Sequence, residues 1–507
     1  MPGSANLFSE LSSHWKEGGK VALETASGRK YRFRDILAVT SRLSNGLVAS
    51  GVKPGDRVAV QVEKSPEALF LYLACLRAGA AYLPLNTAYT GAELDYFLRD
   101  SESTVFVCRP DARAAGTRLS KDAGVSHCYT LGTSGSGSLM RLAADQSDGF
   151  EDIPRAEDGL AAILYTSGTT GRSKGAMLTH RNLSSNAHAL METWRFTEAD
   201  VLLHALPIFH THGLFVASNI ALMSGASMLF LPKFDLDQVF RLLPRATAMM
   251  GVPTFYVRLL ADPRLTREAT QHMRLFISGS APLLPEVHRS FLDRTGVAIL
   301  ERYGMTETGM NTSNPYEGER VPGTVGFPLP GVEVRITDPE TNKPLAEDEI
   351  GMIEVRGPNV FKGYWRMPEK TEAEFRADGF FITGDLGKID RSGYVHIVGR
   401  GKDLVISGGY NVYPKEVESE IDSLNGIVES AVIGVPHPDF GEGVVAIAVK
   451  ANGSGVTEAE IADTLKKRLA NYKLPKRVFF VDALPRNTMG KVQKNLLRDE
   501  YCNLFKR

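Results

Sequence analysis

Cysteine is scarce in this chain of 507 residues: Cys75, Cys108, Cys128 and Cys502, with no C-x-x-C spacing among them. That pattern offers no basis for a disulfide framework or a zinc site and suits a reducing compartment. Net charge is nearly absent too, with 58 Lys and Arg against 59 Asp and Glu. Such a balance gives no ground for nucleic acid or an anionic membrane as the main partner. Long apolar runs are also missing. The nearest, GLFVASNIALMSGASMLFL, is broken by Ser218, Asn219, Ser224, Gly225 and Ser227 and reads as helix, turn, strand. The opening MPGSANLFSELSSHWKEGG lacks the charged and apolar halves of a signal peptide. A cytoplasmic protein acting on small molecules is expected, a monomer or small homo-oligomer.

The chain is too long for one hydrophobic core. From about residue 55 to 305, apolar runs such as RVAVQV, TVFVCR, LAAIL, SMLFL, ATAMM and RLFIS alternate with helical patterns such as EALFLYLACLRAG. This alternation predicts layered α/β structure on largely parallel sheets. After residue 320, GVEVRIT, EIGMIEVRG and GYVHIVGR read as a β-rich section. The remainder mixes strands with helices such as TEAEIADTLKKRLA and is long enough for a small separate α+β domain.

One stretch stands out. YTSGTTGRSKGAMLTH, residues 165–180, follows the apolar run Leu160–Leu164 and precedes a helical pattern capped by Thr179 or Asn182. It reads as a loop between strand and helix. Its glycines allow successive N–H groups to face one concave side, and Thr166, Ser167, Thr169, Thr170 and Lys174 add hydroxyl donors and a positive charge. A polyphosphate suits those donors; a solvated loop without ligand is the alternative. Neither G-x-x-x-x-G-K-[ST] nor G-x-G-x-x-G fits it.

Other constellations are weaker singly. LPIFHTHG sets His210 and His212 two apart with no third metal ligand at a convincing spacing. ERYGMTETG follows an apolar run and offers Glu307, enough for Mg²⁺ in a phosphate site, or an acidic turn at a helix start. TGDLG holds Asp385, GRGKDLVISGGYNVYP holds Arg400, Lys402 and Tyr410, and PRNTMGKVQK holds Lys491.

Taken in order, TSGTTGRSKG, LPIFHTHG, ERYGMTETG, TGDLG, GRGKDLVISGGYNVYP and PRNTMGKVQK closely resemble the adenylate-forming superfamily of acyl-CoA synthetases, luciferases and nonribosomal adenylation domains. The resemblance spans about residues 20 to 500. It implies an N-terminal AMP-binding domain over 1–399, a hinge at 400–403 centred on Lys402, and a mobile C-terminal lid over 404–507. It also implies two half-reactions, in which a carboxylate first forms an acyl-adenylate with ATP and a thiol then displaces AMP. By similarity, Thr166, Ser167, Gly168, Thr169, Thr170, Gly171 and Lys174 hold the β- and γ-phosphates. Glu307 holds Mg²⁺, and Thr306 contacts the α-phosphate. Tyr303 lies against adenine, Asp385 and Arg400 bind the ribose, and Lys491 reaches the reacting carboxylate. Gly408, Gly409 and Tyr410 line the thiol tunnel.

Phe209-His210 stands where amino-acid-activating relatives carry Phe-Asp, which disfavours an amino-acid substrate, and CoA is the expected thiol. GVPTFYVR, SGSA and ERYGMTETGMNTSNP resemble the malonyl-CoA synthetase subgroup. Malonate, with methylmalonate beside it, is therefore the expected acid. Arg258 would pair with its second carboxylate, and His210, Ser280 and Met305 would close a short pocket. A short or aromatic monocarboxylate is the competing substrate, and a catalytically silent nucleotide-binding or carrier-interacting protein is the competing class.

Overall fold

The computed structural model describes residues 5–15, 18–166, 173–407, 410–487 and 490–505. The run PEALFLYLACLR has almost no polar face, and helix Pro66–Arg77 is accordingly buried along its whole length. Ser65 caps it, its hydroxyl accepting from the Ala68 N–H at 3.1 Å. Tyr72 on this helix meets Tyr82 of one sheet and Phe215 of the helical segment His212–Ser218, with ring centroids 5.4 and 5.8 Å apart. The helix thus bonds two α/β layers into one body.

Those layers are two sheets, counted among the described residues. The seven-stranded sheet runs Gly363–Tyr364, Lys174–Thr179, Leu160–Thr166, Ala81–Pro84, Arg57–Gln61, Val105–Cys108, His127–Thr130, and its last five strands are parallel. The nine-stranded sheet has a parallel centre of Leu275–Ser278, Ala248–Gly251, Val201–His204 and Ser227–Phe230. Each sequence run expected as a strand here forms one. A cavity opens beyond the carboxyl ends of parallel strands from both sheets, lined by Lys64, Leu85, Ala205 and Pro232 among others.

The glycine-rich stretch departs from expectation. Its described ends do not run straight into a helix: Leu160–Thr166 and Lys174–Thr179 pair antiparallel as a β-hairpin, Thr166 opposite Lys174, and residues 167–172 lie outside the described residues. The segment read as loop, KGAMLT, alternates well enough to complete a strand once a sheet edge is available. Helix His180–Thr193 then starts directly, with a capping box between Thr179 and Asn182.

A four-stranded antiparallel sheet, Glu333–Thr337, Gly351–Arg356, Phe381–Ile389 and Val395–Arg400, forms the β-rich section. The C-terminal portion has its own sheet around Ile427–His437 and Gly441–Lys450. Its buried clusters begin at Val405, whereas those of the larger part draw on nothing later than Ile397. The architecture is therefore α/β, a large N-terminal part of layered sheets plus a small α+β C-terminal domain.

Candidate active site

Strand Ile299–Met305 carries the site's centre. It turns back tightly into Gly309–Ser313, with a register shift between Tyr303 and Gly304. The turn needs glycine: a Cβ on Gly304 would lie 2.0 Å from the Gly309 carbonyl oxygen. This turn presents Tyr303, Met305, Thr306 and Glu307 together. The Tyr303 hydroxyl donates to Asp385 Oδ2 at 2.5 Å, and Arg400 Nε meets Asp385 Oδ1 at 2.7 Å. Asp385 and Arg400 face each other across paired strands Phe381–Ile389 and Val395–Arg400. The expected nucleoside trio is thus one cluster.

The phosphate side comes from the hairpin. Thr166 donates to Glu307 Oε1 at 3.4 Å. Lys174 is buried, its ammonium 3.3 Å from Glu374 Oε1 and 4.2 Å from the centre of the Tyr364 ring. Ser167, Gly168, Thr169, Thr170 and Gly171 lie outside the described residues. Tyr364 bridges the cluster, its hydroxyl 2.6 Å from Glu374 and 3.2 Å from Glu307. Burial holds the Glu307 carboxyl above its ordinary range, against the pull of Tyr364, Lys174 and Arg400. Tyr364 thus presents its hydroxyl to both carboxylates, with the shorter contact to Glu374. The oxygen-rich surroundings, with a carboxylate and the Thr166 hydroxyl, fit Mg²⁺.

Lys491 comes from the C-terminal domain. Its loop is folded by hydrogen bonds between Asn487 and Lys491, 2.9 Å on the backbone and 3.0 Å through the Asn487 side chain. Gly490, at φ +74°, abuts helix Pro253–Leu260: a Cβ there would lie 3.7 Å from Thr254. Lys491 is exposed, yet close enough to Arg400, Asp385 and Glu307 to feel their charges. Loss of water and then the Arg400 charge hold its ammonium below the ordinary lysine value, opposed by Asp385 and Glu307. Arg302 and His210 are also close enough to act on its charge or feel it.

The acyl end contains a correction. Helix Pro253–Leu260 turns Tyr256 and Leu259 inward, which leaves Arg258 on the solvent side, its guanidinium 4.8 Å from the Phe234 ring centre. Arg258 does not line the pocket interior in this arrangement. The buried cation is Arg302, whose Nε and Nη2 have no partner among the described residues. Burial pushes it down to about 9. It fits only because residue 279 is glycine, where a Cβ would lie 2.4 Å from its Cζ. His210 and His212 surround it. Burial pushes His210 down to about 3 and His212 well below the ordinary range, with Arg302 acting in the same direction on both. Ser280, in the strained left-handed region at φ +71°, places Oγ 3.2 Å from His212 Nδ1. His210, Ser280 and Met305 are thus partly buried residues at the same end of the site as Arg302.

Beside Phe209 opens a cavity of about 290 Å³, lined by Lys64, Thr87, Lys233, Phe234 and Phe255 among others. Gly408 and Gly409 lie outside the described residues. Tyr410 is exposed and stacks on Tyr472 with centroids 4.7 Å apart. Lys402 is exposed in the short turn Gly401–Asp403.

A family model described as AMP-binding enzyme matches residues 13–365, and its C-terminal domain matches residues 416–491. The chain belongs to the AMP-binding enzyme family. It is 37% identical to a feruloyl-CoA synthase of Amycolatopsis over 94% of each chain. It is 33% identical to a malonate–CoA ligase of Arabidopsis thaliana, over 99% of this chain and 91% of the other. Crystal structures of MatB from Rhodopseudomonas palustris share 62% identity over 99% of this chain and 100% of theirs. The TM-score is 0.97 against the ATP-bound form and 0.86 against the apo form.

Sequence reasoning missed Arg302, Tyr364 and Glu374. Arg302 sits inside a quoted motif, where its burial and lack of an acidic partner give no sequence signal. Tyr364 and Glu374 lie between motifs and join the site only through folding.

Proposed function

We infer that this protein is an ATP-dependent ligase that converts malonate and CoA to malonyl-CoA, AMP and pyrophosphate through a malonyl-adenylate. The observation that carries the choice of acid is Arg302, a buried guanidinium with two unpaired donors at the acyl end of the site. A hydrocarbon tail would leave that charge uncompensated, whereas a second carboxylate can take both donors. Ser280 and neutral His212 add polar contacts beside it, and Met305 limits length. Arg258 serves at the rim.

One malonate carboxylate attacks the α-phosphorus, and pyrophosphate leaves. In this reading Thr166 through Gly171 and Lys174 hold the β- and γ-phosphates and Thr306 the α-phosphate. Glu307 would hold Mg²⁺, which would neutralise phosphate charge. Tyr303 packs on adenine, while Asp385 accepts from the ribose hydroxyls and Arg400 donates to them. Lys491 brings a positive charge to the atoms where negative charge develops. The thiol then attacks the acyl carbon, the C–O bond to AMP breaks, and the thiol proton passes to solvent. The cavity beside Phe209 takes the thiol's arm, with the 407–414 loop closing over it after the lid turns at Lys402. The domains divide at 399 and 404, and the location is cytoplasmic.

The test is Arg302→Met, a similar volume without charge. It should raise the KM for malonate at least tenfold while leaving the KM for ATP within a fewfold of wild type. Equal loss for both substrates, or no loss for malonate, overturns the assignment.

A further inference from the structure

Lys174 has a partner that no phosphate-loop reading requires. Glu374, at the C-terminal end of helix Pro368–Ala373, lies 200 residues away in sequence and meets the Lys174 ammonium at 3.3 Å. The same carboxylate receives Lys370 at 2.7 Å and the Tyr364 hydroxyl at 2.6 Å. Burial raises its carboxyl, but Lys370, Tyr364 and Lys174 more than reverse this, so Glu374 stays ionised.

The two ends of this contact are unequal. Lys174 is buried and has no other carboxylate partner among the described residues, so without Glu374 its charge would stand uncompensated. Glu374 can release Lys174 and still keep a cation and a hydroxyl donor. An anion that can let go, facing a cation that must be held, is the arrangement of a placeholder.

We propose that Glu374 occupies at Lys174 the position of the nucleotide's phosphate, holding the ammonium in the empty site and passing it to ATP while Lys370 and Tyr364 take over the carboxylate. This rests on reading the 165–174 hairpin as the phosphate site. Glu374 is a positioning residue, and it sets ATP affinity because ATP must displace it.

The experiment is titration of the full-length protein with Mg·ATP in the absence of malonate, for wild type, Glu374→Gln, Lys174→Ala and the double variant. Glutamine keeps an acceptor for Tyr364 and removes the charge. E374Q should bind ATP several-fold more tightly, with KM for ATP falling and KM for malonate unmoved; a merely structural role would raise both. K174A should bind ATP more weakly, and in its background the E374Q gain should vanish. Unchanged or weaker binding by E374Q, or a gain that persists without Lys174, overturns the proposal. If K174A alone leaves ATP affinity unchanged, the phosphate-site reading falls with it.

Discussion

Lys491 is a charge that the C-terminal domain brings near Arg400, Asp385, Glu307 and Arg302. Loss of water and Arg400 lower, and Asp385 and Glu307 raise, the pKa of its ammonium, and in the proposed role it serves adenylation alone. Lys491→Ala should slow malonate-dependent adenylation by about a hundredfold or more while sparing thioester formation from supplied malonyl-adenylate. Pyrophosphate exchange and single-turnover thioester assays read the two steps separately, and equal losses would refute the role. Beside Arg302, Glu301 is a second buried ionisable group. Burial pushes its carboxyl up to about 8 from 4.5, against the Gly323 N–H at 3.1 Å. Between those values the folded protein keeps a proton that the unfolded chain releases, so stability falls as pH rises through that window. Glu301→Gln should therefore melt above wild type at about pH 9 and lose that advantage at about pH 5. Melting curves at both values decide it; a constant difference would mean that Glu301 does not carry the linkage. These residues also mark the limit of sequence reading. Glu307, Asp385 and Lys491 were named because each sits in a motif that resembles the family's, although the partners of Glu307 and Asp385 come from elsewhere in the chain. Arg258 and Arg302 both interrupt apolar patterns, and only the turn of one helix and the burial of one strand tell them apart.

At the scale of elements, the site hangs on two sharp returns of the chain. The hairpin pairing Leu160–Thr166 with Lys174–Thr179 sets Lys174 opposite Thr166. The return at Gly304 sets Thr306 and Glu307. Gly304→Ala would drive a Cβ to 2.0 Å from the Gly309 oxygen and 2.7 Å from Met310 Cα, both backbone. Nothing there can yield cheaply, and a cost of about 2 kcal/mol or more is expected. Calorimetry should show a lower Tm together with weakened ATP binding; normal values for both would show that the return is not needed. The parallel strands were legible as short apolar runs between helical patterns, since strands covered on both faces need no alternation. The hairpin strand was not, because its pairing partner, not its own periodicity, makes it a strand.

The whole molecule is built as two bodies with separate cores, joined at a short exposed turn. Asp403 in that turn is paired to Arg498 of the C-terminal helix Lys494–Tyr501, whereas Arg400 is paired to Asp385 of the larger part. Lys402 between them is where rotation would be absorbed. Lys402→Pro should slow the thioester step more than adenylation, measured as the ratio of the two rates; an unchanged ratio would remove the hinge from Lys402. The order of domains was legible from motif order and composition. Their relative placement was not, because Lys491 faces Arg400 and Arg302 only through a contact between bodies that no local pattern encodes.

The most direct measurement is AMP release with ATP, Mg²⁺ and CoA for malonate, methylmalonate, succinate, acetate, octanoate and ferulate. A kcat/KM for malonate well above every monocarboxylate is the expected result, since only a second carboxylate answers the unpaired Arg302. A monocarboxylate preferred over malonate would contradict the substrate assignment while leaving the chain an adenylate-forming enzyme.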